Sequence, residues 1–144
     1  MRAEQSIWFA AFRSELEAWA FRSPLVNGLL IVGSYGRGVP RPDSDIDVMI
    51  ISQRPEELLT RNDWLELFGH PERIMQETWG VVQSLRVQYL RGPEVEFTVG
   101  SPQWVALPLD DGTRKVLQGG ALLIYDGLGG AVLKALTASQ VSPA

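Results

Sequence analysis

Cysteine is absent from the 144 residues, and histidine occurs once, at His70. Without thiols there is neither a disulfide framework nor a thiolate metal site, and a lone histidine leaves no ligand set suited to zinc. Lysine is nearly missing too, with only Lys115 and Lys134, so arginine supplies almost all the positive charge. The formal net charge of -4 argues against binding long nucleic acid, which needs many Lys and Arg contacts to phosphate. A small anionic ligand stays open. Long apolar runs are also lacking: "MRAEQSIWFAAFRSELEAWAF" is interrupted by Glu4, Glu15 and Glu17. That pattern is expected of neither a signal peptide nor a membrane span, which makes a cytoplasmic address and no membrane partner the expectation. Internal repeats, low-complexity tracts and linkers are not visible.

What is present reads as one domain over 1–144, long enough to bury roughly 70% of its unfolded surface. Trp8, Phe12, Leu16 and Trp19 are spaced along one face of a helix over Ile7–Trp19, ended by Ser23-Pro24. "GLLIVGS" reads as a strand buried on both faces, and Asp45–Ile51 as a second strand. Between them lies a loop, Ser34 to Ser44, whose first turn could begin a short helix. Arg54-Pro55-Glu56-Glu57 opens a helical segment that "DWLELFG" continues until Gly69 and Pro71. From Gly80 the period becomes two: Val81, Leu85, Val87 and Tyr89 alternate with polar residues, "RGP" turns, and "EVEFTV" completes a hairpin. Asp110-Asp111-Gly112 reads as a turn, "ALLIYD" as a strand, Leu128–Leu136 as a helix, and 138–144 as a loose tail. This order predicts an α+β fold: a mixed, largely antiparallel sheet with helices packed mainly on one face.

The chemistry concentrates in "GSYGRGVPRPDSDIDVMII", Gly33 to Ile51. On a strand, Asp45, Asp47 and Met49 share one face and Ile46, Val48 and Ile50 the other, which is core. Same-face neighbours lie about 6.6 Å apart, so two carboxylates can reach one hard cation or a pair roughly 4 Å apart. Unneutralised, they would repel and raise each other's pKa; a divalent ion removes that difficulty. Oxygen donors without His or Cys favour Mg²⁺ or Mn²⁺. Gly33 has no side chain to keep a ligand from the backbone and hydroxyl of Ser34, which are phosphate donors, and a helix starting there would add its N-terminus. Phosphates on the loop and metal carboxylates on the next strand make a nucleoside-triphosphate site. An EF-hand is excluded, because its loop would need glycine at Val48 and glutamate at Arg54. A solvated acidic strand edge is the blander account of Asp43, Asp45 and Asp47.

Gly33-Ser34, ten intervening residues, then Asp45-Ile46-Asp47-Val48 resemble the signature of the DNA polymerase β-like nucleotidyltransferase superfamily. The resemblance implies Mg²⁺ held by the paired acids and a third acid on a later strand that helps activate an acceptor hydroxyl. The matching strand is "VEFTV", where Glu96 would take that role; Glu94 shares its face, so both stay open. The order "DWLELFG", "IMQE", "VEFTV", "VLQGGALLIYDGLG" is similar to the catalytic domain of aminoglycoside 6-adenylyltransferases. Those enzymes carry a further C-terminal helical domain not seen in this sequence, so their drug specificity is not carried over. The small size is similar to that of minimal nucleotidyltransferases, which are often paired with a separate helical partner protein.

The function this implies is transfer of a nucleoside monophosphate, AMP from ATP first among them, to a hydroxyl of a small molecule or protein. Arg37 and Arg41 either contact the triphosphate or balance nearby acids, and Arg86 either faces the cleft or pairs across strands with a glutamate. Trp79, Trp104 and Tyr35 either stack on a base or pack in the core, whereas Trp8, Trp19, Trp64 and His70 read as structural. The rival reading is a catalytically silent binding protein of the same fold, such as an antitoxin paired with a helical partner. An open acceptor side would also leave apolar surface for a homodimer.

Overall fold

A computed structural model describes residues 3–79 and 82–141, the side chain of Trp79 excepted. The chain runs through α1 (Ala3–Arg22), β1 (Gly28–Val32), α2 (Gly33–Gly36), β2 (Ile46–Ile51) and α3 (Pro55–Thr60). A 3₁₀ segment (Asp63–Phe68) leads to β3 (Pro71–Trp79), β4 (Val82–Tyr89) and β5 (Glu94–Gly100). A second 3₁₀ turn (Pro102–Val105), α4 (Asp111–Gln118), β6 (Leu122–Asp126) and α5 (Ala131–Ser139) complete it. The strands form one sheet in the order β3-β4-β5-β2-β1-β6, with every neighbouring pair antiparallel except β2 and β5. The α+β class and the largely antiparallel mixed sheet are as the sequence led us to expect.

Burial follows the pleat. Ile46, Val48 and Ile50 of β2, with Leu85, Val87, Val95, Phe97 and Val99, face a core sealed by α1, α3 and the Asp63–Phe68 segment. From α1, Phe12, Leu16, Trp19 and Ala20 enter it. Its centre is aromatic: Trp19 stacks on Trp64 at 4.7 Å, and Phe68 on Phe97 at 5.8 Å. Tyr89, buried beside them, donates its hydroxyl to Leu65 O at 2.8 Å, and burial raises its pKa. On the other face, Leu30, Val32, Met49 and Ile51 meet Val105, Leu117, Val132 and Ala135. Hence α4 and α5 cover only the β1–β6 end, and the polar faces of β4 and β5 stay open beside them.

Five local readings change. Pro71–Trp79 is a full edge strand, where the sequence suggested none. Asp110 caps a helix rather than making a turn: its carboxylate accepts from Thr113 N and Oγ1, both at 2.8 Å, which also lowers its pKa. "DWLELF" is 3₁₀ rather than α-helical, and α1 is longer at both ends than its apolar spacing indicated. The helix α5 runs on through Ser139, into the stretch expected to be a loose tail. Residues 142–144 of that tail, Gly80 and Val81 at the expected strand start, and the side chain of Trp79 lie outside the described residues. Among the described residues no helix is long and apolar enough to cross a membrane.

Candidate active site

Strand register gathers the site. Antiparallel pairing sets Val32 of β1 opposite Asp47 of β2, parallel pairing sets Asp47 beside Glu96 of β5, and Glu96 lies opposite Arg86 of β4. Neighbouring strands are about 4.8 Å apart, so Asp47 and Glu96 rise from adjacent pleats on one face. At the end of β1 the chain turns through Gly33 at φ 69° into α2. A Cβ on residue 33 would lie 2.3 Å from Asp47 Oδ2, so the carboxylate rests against the glycine backbone. Position 33 therefore needs glycine for its dihedral and for its lack of a side chain.

The helix expected after Gly33 is a single turn, closed by Arg37 N donating to Gly33 O at 3.0 Å. Beyond it, Arg37 runs against Gly120, at φ 111°, where a Cβ would lie 2.7 Å from the arginine's Cγ, so the missing side chain leaves room for Arg37. Gly33, Arg37, Asp47 and Glu96 line one cleft of about 550 Å³, together with Val32, Met49, Thr98, Trp104, Lys115 and Val116. Acids thus stand on one wall and Arg37 and Lys115 on another, with Trp104 and Val116 making an apolar surface beside them.

Asp45 lies one residue before β2 rather than in it, half-buried beside the cleft's acids. Ser34 is half-buried and does not line the cleft; Asp45, Glu94 and Arg41 do not line it either. Tyr35 is core: it packs against Phe9 at 4.6 Å, and its hydroxyl accepts from Gln5 Nε2 at 2.5 Å. His70 is exposed and away from the cleft, whereas Trp19 and Trp64 are buried. Lys115 is the residue sequence reasoning missed. It sits on α4, which the Asp-Asp-Gly composition disguised as a turn; the one available signal was that it is one of only two lysines.

Electrostatics separates Asp47 from its neighbours. Burial first, then the charges of Glu96 and Asp45, push its carboxyl up to about 6, against opposing pulls from Arg86 and Arg37. Burial and Glu94 raise Asp45 as well. Arg86 pairs with Asp45 at 3.6 Å, Glu77 at 3.1 Å and Glu94 at 3.5 Å, and most tightly with Glu96. The cross-strand partnership expected for Arg86 is therefore present and larger than a single pair. Among the described residues no three acid or histidine side chains converge as a preformed chelate. In chemistry, however, the donors fit a hard divalent cation: all are carboxylate oxygens, and their negative charge exceeds what Arg86 neutralises.

Gly33 at the end of β1, seated against Asp47 on β2 with Glu96 beside it on β5, falls within the part of the chain that a family comparison matches. A family model described as Nucleotidyltransferase domain matches residues 14–97, more than half the chain. The chain belongs to the nucleotidyltransferase domain family. The matched span contains Gly33, Ser34, Asp45, Asp47 and Glu96, while Lys115 lies beyond it. Among solved structures, the crystal structure of an aminoglycoside 6-adenyltransferase from Bacillus subtilis superposes with a TM-score of 0.53 at 14% identity. The overlap covers 72% of this chain and 37% of that one, a likeness of fold. Comparison with curated proteins found no match.

Proposed function

We propose that this nucleotidyltransferase moves a nucleoside monophosphate, AMP foremost, from its triphosphate to a hydroxyl acceptor. The observation that carries the reading is the Gly33–Asp47–Glu96 row at a cleft whose other wall bears Arg37 and Lys115. The two cations would bind the β- and γ-phosphates, and the Gly33 backbone, with Ser34 following it, would admit the chain of phosphates closely. Asp45, Asp47 and Glu96 would hold Mg²⁺ or Mn²⁺, which when bound neutralises charge on the triphosphate and on the leaving pyrophosphate. Glu96 would hold the second ion or take the acceptor's proton as the acceptor oxygen bonds to the α-phosphorus and the bond from the α-phosphorus to the β-phosphate oxygen breaks. Positioning and fixed charge supply most of the rate.

Incubation with ATP, GTP, CTP or UTP labelled at the α-phosphate, Mg²⁺ and hydroxyl acceptors tests this. Label should pass to an acceptor with wild type, and Asp47→Asn should reduce transfer by at least about 100-fold while remaining folded. A second reading draws on the hold of Arg86 upon Asp45 and Glu96: a silent binding protein of this fold, paired with a helical protein or a second copy of itself. Absence of transfer, together with Mg·ATP leaving the melting temperature unchanged, would favour that reading.

A further inference from the structure

Arg86 belongs to no part of the chemistry assigned above, yet its guanidinium meets four carboxylates within 4 Å. The four divide by function. Asp45 and Glu96 are the acids assigned to the cation, Glu96 lining the cleft and Asp45 standing just outside its lining; Glu94 also lies outside it, and Glu77 comes from the edge strand β3. The nitrogens divide in the same way. Nε donates to Glu77 at 3.1 Å, on the β3 side, while the terminal nitrogens reach Glu96, Asp45 and Glu94. The contacts to Asp45 and Glu94, at 3.6 and 3.5 Å, are longer than a good hydrogen bond. Arg86 is thus anchored through Nε away from the cleft and extends its fork into the cluster.

We propose that Arg86 is a built-in counter-ion that occupies the acid cluster in the metal-free protein and must yield Asp45 and Glu96 for a divalent cation to bind. This rests on the reading of those acids as cation ligands. A guanidinium and a divalent ion cannot both lie among the same carboxylates without strong mutual repulsion. The Glu77 anchor gives the arginine a resting place on the β3 side once its terminal nitrogens are released. Arg86 therefore sets how tightly the site takes a cation, and keeps the acids from repelling one another when none is there.

Titration of Mn²⁺ alone, followed by its EPR signal, tests this on wild type, Arg86→Gln, Arg86→Lys, Asp47→Asn and the double variant Arg86→Gln/Asp47→Asn. Loss of one positive charge next to the ion should tighten Mn²⁺ binding by about tenfold or more in Arg86→Gln, and Arg86→Lys should stay near wild type. Metal-free Arg86→Gln should melt below wild type and gain more from added Mn²⁺, and the double variant should lose the tight binding. Equal or weaker Mn²⁺ binding by Arg86→Gln, with wild type binding and Asp47→Asn not, overturns the role of Arg86 and leaves the cation site standing. No binding by any of them overturns both. Should Arg86→Gln fail to fold, the Arg86 Nε–H signal in NMR of the wild type decides. A saturable shift on adding Mg²⁺ supports the exchange, and an unmoved signal once Asp47 is saturated overturns it.

Discussion

An alanine at position 33 would carry its methyl group into Asp47 Oδ2, at 2.3 Å, on a backbone already at φ 69°. Gly33→Ala should therefore destabilise the fold by about 1–3 kcal/mol and lower turnover by displacing Asp47, as chemical denaturation and transfer assays would read. Asp47 itself responds to pH with a definite sign. Its carboxyl is raised from 3.8 to about 6 in the folded chain, so the folded state holds that proton more tightly than the unfolded one. The stability this supplies is complete below pH 3.8 and is lost as pH rises through about 6. Asp47→Asn has no charge to bury: without metal it should melt above wild type at about pH 8 and lose that advantage near pH 4. Melting curves in chelator check this. At this scale the sequence was informative where spacing alone decides: Gly33 and Asp47, read as neighbours on the loop and the next strand, meet in the structure, whereas Asp45 falls just before β2 and outside the cleft lining. Glu94 and Glu96 share a face and could not be separated by period; the pairing of β2 with β5 and the cleft lining distinguish them.

Among the elements, α4 and β3 were illegible for different reasons. Asp-Asp-Gly is strong turn chemistry, but Asp110 uses its carboxylate to cap Thr113, which the same composition also permits. The consequence is functional, because α4 carries Lys115 into the cleft. Asp110→Ala should lower stability by about 1 kcal/mol and raise the KM for the triphosphate more than it lowers kcat, as steady-state kinetics would show. The edge strand β3 is exposed along most of its length, so Ile74 and Met75 stand in solvent and no alternation of buried and polar residues marks it. Its pairing with β4 brings Glu77 to Arg86. Strands with one or two buried faces, β1, β2, β4 and β5, were legible because burial imposes the pattern that reading depends on.

For the whole molecule, the sheet divides the work. One face is closed by α1, α3 and an aromatic core; the other is closed only at the β1–β6 end, which leaves the polar halves of β4 and β5 beside the cleft. Composition and strand order conveyed the mixed, largely antiparallel sheet, but not that α4 and α5 close part of its second face, where helices were expected mainly on one, nor the cleft's second wall. That wall depends on α4 folding back so that Lys115 lines the same cleft as Arg37, a juxtaposition of distant parts of the chain that local pattern does not encode. The most direct test of the account is calorimetric titration with α,β-methylene ATP, with and without Mg²⁺, on wild type and Asp47→Asn. The account predicts binding by wild type that requires Mg²⁺ and is lost in the folded variant. Binding of the same strength without Mg²⁺, or retained in Asp47→Asn, would contradict it.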